Sequence, residues 1–218
     1  MILRPGQRVV FIGDSITDCG RRDIAAPYGS GYVSLVRAFV EARHPELELT
    51  WVNRGVGGDT VRDLAARWDD DAIAERPDWL AVLIGINDIW RHYGDRPEEA
   101  VGIDEYERTL RDLLRRAVTT TGCRLILGDP FFIEPDRGVP QRADTDRYAA
   151  VVAGLAAEFD AVHVPNQAAF DRVLTVSPSS RWADDRVHPH LPGHAVLADA
   201  YLSALGARCL SIPGATGR

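Results

Sequence analysis

The stretch Arg8-Val9-Val10-Phe11-Ile12-Gly13-Asp14-Ser15-Ile16-Thr17-Asp18 decides the fold. Val9 to Ile12 is an unbroken run of β-branched and aromatic residues, as in a strand buried on both faces. Gly13-Asp14-Ser15 then closes the run with residues that suit turns and helix caps. A buried strand that ends in such a turn, with a helical pattern following, is the opening of a βα unit.

The unit repeats outward from there. Tyr32, Leu35, Val36, Phe39 and Val40 recur at helix spacing, and the pattern ends near Pro45. Leu47 to Val52 reads as a second strand, and Val61, Leu64, Ala65 and Trp68 as a helix face. Trp79 to Ile84 is a third strand, nearly all apolar. A long helix is predicted over 103–119, a strand over 124–127, a helix over 144–159 and a strand over 162–165. A last helix spans 192–205, with Pro192 at its start as helices prefer. Strand–helix alternation predicts an α/β fold with a five-stranded parallel sheet in a three-layer α/β/α sandwich. No repeat, low-complexity segment or linker interrupts it, so 1–218 reads as one domain. The tail from Cys209 to Arg218 is left without an assigned element.

Composition narrows the class. The chain has 218 residues, 45% hydrophobic and 26% charged, which describes an ordinary globular protein with enough apolar residues for a core. A net charge of −7 argues against nucleic acid and against anionic membrane surfaces. The apolar stretch at Val9 is too short for a signal peptide or a membrane span. Cys19, Cys123 and Cys209 are scattered, without a C-x-x-C pair, which fits a reduced cytoplasm.

In parallel α/β sheets, ligands bind at the carboxyl ends of the strands. The unusual residues fall there. Strand one is followed by Gly13-Asp14-Ser15, and strand two by Asn53 to Thr60 with Gly55, Gly57 and Gly58. Strand three is followed by Gly85-Ile86-Asn87-Asp88, and the last helix is preceded by Asp185-Arg186-Val187-His188-Pro189. A serine hydroxyl is a poor nucleophile until a base takes its proton. His188 is the candidate base for Ser15. Asp185, at the x-x spacing, is the candidate acid that fixes the imidazole tautomer. Oxyanion donors are expected from the Ser15 N–H, the Gly58 N–H and the Asn87 amide.

Together these segments resemble the four signature blocks of the SGNH (GDSL) hydrolases, in family order. The resemblance implies the SGNH hydrolase fold, which is flavodoxin-like, and an ester hydrolase with Ser15, Gly58, Asn87 and His188 as the name-giving residues. Longer matches are similar to the intracellular acetylxylan esterases of that family: Asp18-Cys19-Gly20-Arg21, Thr60 to Leu64, Ala66-Arg67-Trp68, Pro77-Asp78-Trp79, Trp90-Arg91, Asp104 to Glu107, and Arg186 to Pro189. That implies deacetylation of xylo-oligosaccharides or related sugars by a homo-oligomer, with no cofactor and no metal. The chain departs from the pattern at Gly57-Gly58-Asp59, where Ser-Gly-Asn is expected, and in the distance of Trp182 from the acid. Both departures bear on the acyl or sugar pocket.

Other readings are kept beside these. A short-chain acyl esterase or lysophospholipase would use the same machinery on another ester. A non-catalytic carbohydrate-binding protein would keep the fold but lose Ser15, Asp185 or His188, and none is lost. Candidate substrate contacts are Asp14, Arg54, Trp90, Tyr93 and Trp182; Arg91, Tyr28, Phe131 and Phe132 lie in the same predicted loops. Asp14 also reads as an organiser of the loops, and Asp184 as a solvated neighbour of the acid. A metal reading of His188, His190, His194 and Asp199 fails, because Pro189 and Pro192 break any shared register and a base with both nitrogens engaged cannot ligate. His194 and Cys19 are expected to pack.

Overall fold

The structure is a computed structural model that describes residues 1–207. Five parallel strands form its sheet: β1 (Arg8–Gly13), β2 (Thr50–Gly55), β3 (Trp79–Leu83), β4 (Arg124–Gly128) and β5 (Val162–Val164). Their order is β2-β1-β3-β4-β5. Strand order thus reverses between β1 and β3, where a crevice opens outside the carboxyl ends of an open α/β sheet.

Alternation along the strands divides the core in two. Val9 and Phe11 of β1 and Trp79, Ala81 and Leu83 of β3 face one layer, made by α2 (Tyr32–Arg43), α7 (Asn166–Leu174) and α8 (Leu191–Ala204). Val10, Ile12, Leu80 and Val82 face the other, made by α3 (Val61–Ala66), α5 (Ile103–Thr121) and α6 (Pro140–Glu158). Strands covered on both faces must be apolar throughout, which is why they read as unbroken runs. Two further helices, α1 (Ser15–Asp18) and α4 (Ile86–Tyr93), sit at the carboxyl ends of β1 and β3.

The predicted α/β/α sandwich is therefore what forms. Strand two is displaced from its predicted position. Pro45–Leu47 closes a 3-10 turn and Glu48 takes a left-handed φ of 45°, so the extended segment starts only at Thr50. α4 and α7 form where the sequence pattern predicts no element. Phe131 and Phe132 lie in a loop as expected, but their side chains are buried in the core. The tail from Cys209 lies outside the described residues.

Candidate active site

β1 ends at Gly13, and Asp14 caps α1 by accepting the Ile16 N–H at 3.0 Å. The cap turns the chain so that Ser15 stands at the first position of α1, at the sheet edge. Its hydroxyl lies 2.9 Å from His188 Nε2. His188 Nδ1 lies 2.6 Å from Asp185 Oδ2.

The acid–base pair is held by a tight turn. Arg186 adopts a left-handed φ of 66°, which folds the loop back on Asp185. Asp185 Oδ1 accepts the backbone N–H groups of Val187 at 2.9 Å and His188 at 2.8 Å. Val187 is buried in the core and anchors the turn. Partial burial would raise the Asp185 carboxyl, but the His188 ring and the two N–H groups outweigh it and hold Asp185 below the ordinary carboxylate value. An ionised Asp185 accepts from Nδ1–H, so Nε2 carries the lone pair that faces Ser15. Such an arrangement can draw the hydroxyl proton onto the imidazole as the oxygen attacks a carbonyl.

The residues expected to supply oxyanion donors line the same cavity as His188. Gly58 has a φ of +85°, a conformation that suits glycine. Among the described residues, neither the Ser15 nor the Gly58 N–H has a protein acceptor. Asn87 occupies the first turn of α4 and gives one amide hydrogen to the Asp59 carbonyl at 2.9 Å. Its second amide hydrogen remains for a ligand. Ser15, Gly58, Asn87 and His188 line one cavity of about 440 Å³, together with Trp90, Arg91, Gly94, Asp95 and Arg96. The Trp90 ring lies 5.5 Å from the His188 ring. Arg91 donates to the Gly58 carbonyl at 2.7 Å and pairs with Glu99. A second hollow, of about 320 Å³, lies behind α4 and is lined by Asp88, His92, Asp144 and Tyr148; it contains neither Ser15 nor His188.

Of the candidate substrate contacts, Trp90 and Arg91 line the cavity, whereas Asp14, Arg54, Tyr93 and Trp182 are not among its lining residues. Asp14 is 1% exposed, and its capping bond is directed into the protein. Burial pushes its carboxyl up to about 7. Arg54 is drawn off by Glu75, with Asp71 beside it. Tyr93 gives its hydroxyl to Asp144 at 2.6 Å, and Trp182 gives its indole N–H to Ser177 at 2.9 Å. The sequence reading missed Gly94, Asp95 and Arg96, which follow α4 without any motif.

The other two histidines of the metal reading, His190 and His194, have partners of their own. His190 pairs with the exposed Asp184 at 3.1 Å. His194 is buried; its Nδ1 accepts the Tyr32 N–H at 3.3 Å, so Nε2–H faces Cys19 Sγ at 3.3 Å. Burial lowers His194 to about 4, and burial together with the neighbouring Asp18 and Asp14 pushes the Cys19 thiol up to about 12. The thiol therefore packs and does not compete as a nucleophile.

Comparison with known proteins gives one answer. The family model for GDSL-like lipases and acylhydrolases matches residues 11–196. An acetylxylan esterase from Geobacillus stearothermophilus is 45% identical over 215 residues, covering 94% of this chain and 97% of that enzyme. The crystal structure of that bacterium's acetylxylan esterase Axe2 superposes with a TM-score of 0.91 at 43% identity, covering 94% of this chain and 97% of Axe2. LAE5, an alpha/beta hydrolase from the metagenome of Lake Arreo, gives 0.90 at 42% identity, covering 95% and 98% of the two chains. The chain belongs to the GDSL-like lipase/acylhydrolase family and is a serine ester hydrolase.

Proposed function

We propose that this hydrolase removes acetyl groups from acetylated xylo-oligosaccharides or closely related sugars, with Ser15 as nucleophile, His188 as base and Asp185 as the orienting acid. The observation that carries the reading is the hydrogen-bond chain Ser15–His188–Asp185, at 2.9 and 2.6 Å, opening on the cavity walled by Trp90. The 45% identity to an acetylxylan esterase supports the choice of acyl group and alcohol. Catalytic mutants of Axe2 carry alanine in place of one serine, one aspartate and one histidine, the same three residue types.

In this reading Ser15 Oγ attacks the acetyl carbonyl while Nε2 takes its proton. The oxyanion is held by the N–H groups of Ser15 and Gly58 and by the Asn87 amide. His188 returns the proton to the sugar oxygen as the C–O bond breaks, leaving acetyl-Ser15. Water then gives its proton to His188 and its hydroxyl to the acyl carbon; acetate leaves as Ser15 regains the proton. The cavity of about 440 Å³ fits a sugar alcohol against the Trp90 face.

Acetate release from a panel of acetylated xylo-oligosaccharides, with Ser15→Ala as control, tests this reading. Release that the variant lacks supports it. A chain-length series on model esters that peaks well above acetyl would replace the deacetylase with a lysophospholipase-like activity. The homo-oligomer belongs to the same proposal, and a strictly monomeric mass by light scattering would remove it. No helix among the described residues is long and apolar enough to cross a membrane. A cytoplasmic location is proposed on the free thiols of Cys19 and Cys123.

A further inference from the structure

We propose that Arg67, which stands outside the cavity, is the positioning residue that sets the oxyanion donors in register with one another. The inference rests on the reading that Ser15, Gly58 and Asn87 hold the oxyanion.

Arg67 caps the carboxyl end of α3. Its guanidinium is largely enclosed and donates to four acceptors on four segments. Nε bonds Asp59 Oδ2 at 2.6 Å. Nη1 bonds the Arg54 carbonyl at 2.7 Å and Asp71 Oδ2 at 2.9 Å. Nη2 bonds the Gly13 carbonyl at 2.9 Å.

Two of these acceptors, the Gly13 carbonyl and Asp59, are sequence neighbours of the donors. Gly13 is two residues before Ser15. Asp59 directly follows Gly58, and its carbonyl receives the Asn87 amide at 2.9 Å. Arg54 lies near the end of β2, which the Gly13 carbonyl also reaches through the Val56 N–H at 2.9 Å. One planar group thus ties the end of β1, the end of β2 and the glycine turn, and through Asp59 it reaches the side chain of Asn87. Burial raises the Asp59 carboxyl, and the bond and charge of Arg67 act against that rise. Three donors on three separate segments have no covalent reason to converge. A rigid fan of N–H groups supplies one.

A lysine has the charge but not the fan, and a single ammonium cannot span these four acceptors. Donor misplacement of about 1 Å costs on the order of 10²-fold in rate. Arg67→Lys is therefore expected to lower kcat about 10- to 100-fold while KM stays within about threefold.

The test is a double-mutant cycle of Arg67→Lys and Asn87→Ala on an acetyl ester, with near-ultraviolet circular dichroism as the check on folding. If Arg67 acts through the donors, its effect shrinks at least about threefold once Asn87 is gone. A merely structural role gives the same factor in both backgrounds, and that result overturns the inference. So does a kcat for Arg67→Lys within about threefold of the parent. Asp59→Ala serves if Arg67→Lys does not fold. It is expected to reproduce the kcat loss, and Asp59→Asn, which keeps an acceptor for Nε, to restore most of it. No kcat loss in Asp59→Ala, or no restoration in Asp59→Asn, also overturns the inference. An Asn87→Ala variant at full activity removes the oxyanion reading and the inference with it, whereas Asn87→Ala impaired beside an unimpaired Arg67→Lys removes the inference alone.

Discussion

Asp185→Asn asks whether the acid does more than fill space. Asp185 Oδ1 receives two backbone N–H groups at 2.8 and 2.9 Å, while Oδ2 receives His188 Nδ1–H at 2.6 Å. An asparagine has one carbonyl oxygen and one NH2 group to divide between these positions. Turning the NH2 toward the two N–H donors would set donor against donor twice and strip both of their acceptor. The oxygen must therefore stay with the backbone pair, and the NH2 then faces Nδ1. A donor at Nδ1 selects the other tautomer, with the proton on Nε2, 2.9 Å from the Ser15 hydroxyl. Nε2 can no longer accept the serine proton. The same exchange in serine hydrolases with this relay costs about 10⁴ in kcat. Here the side chains of His188 and Asp185 are 45% and 40% exposed, so water competes for both and the expected loss is about 10³- to 10⁴-fold. Steady-state acetate release gives kcat and KM, and the retained backbone bonds predict only a small fall in melting temperature, from the lost carboxylate charge. Activity within about tenfold of the parent, or a loss confined to KM, would refute the tautomer argument.

Four other outcomes are expected. Asn87→Ala should lower kcat by about 10²- to 10³-fold with little change in KM, and a negligible loss would remove its amide from oxyanion binding. Gly58→Ala places a Cβ at φ +85°, and should cost about 1–2 kcal/mol of stability by chemical denaturation; no loss would mean that the turn relaxes freely. Trp90→Ala should raise KM for acetylated sugars several-fold and leave a small model ester nearly unaffected; equal effects on both would deny the sugar contact. His194 has its folded value lowered from 6.5 to about 4, so between those values the unfolded chain binds more protons and stability falls as pH drops. The fall is at most about 3 kcal/mol, and His194→Gln should lessen it in urea midpoints compared at pH about 4 and 7. Parallel pH curves for the two proteins would contradict the buried neutral imidazole. Asp14 and Asp88, each raised by burial to about 7, act in the opposite sense, losing stability as pH rises from about 4 to 7, and are present in both proteins.

What could be read in the chain divides along a physical line. Ser15, Gly58 and Asn87 stand in glycine-bearing segments at strand ends and His188 in the loop before the last helix, and local sequence carries that placement. Covered strands announce themselves by apolar runs. The start of β2 was missed because Leu47 and Leu49 continue its apolar pattern through a turn that Glu48 breaks. The fates of Arg54 and Tyr93 turn on partners 21 and 51 residues away, Glu75 and Asp144, so their availability to substrate could not be read locally. Arg67 belongs to the same class: only the fold brings its four acceptors together. The cavity rim at Gly94, Asp95 and Arg96 has no pattern, because a rim is defined by what lies across from it.

The central claim is covalent, and mass spectrometry addresses it directly. The protein is mixed with an activated acetyl ester, quenched in acid during turnover and digested. The account predicts an acetyl adduct on the peptide that holds Ser15, and neither adduct nor turnover in Ser15→Ala. Acetate release that persists in Ser15→Ala with no adduct at this peptide would contradict it.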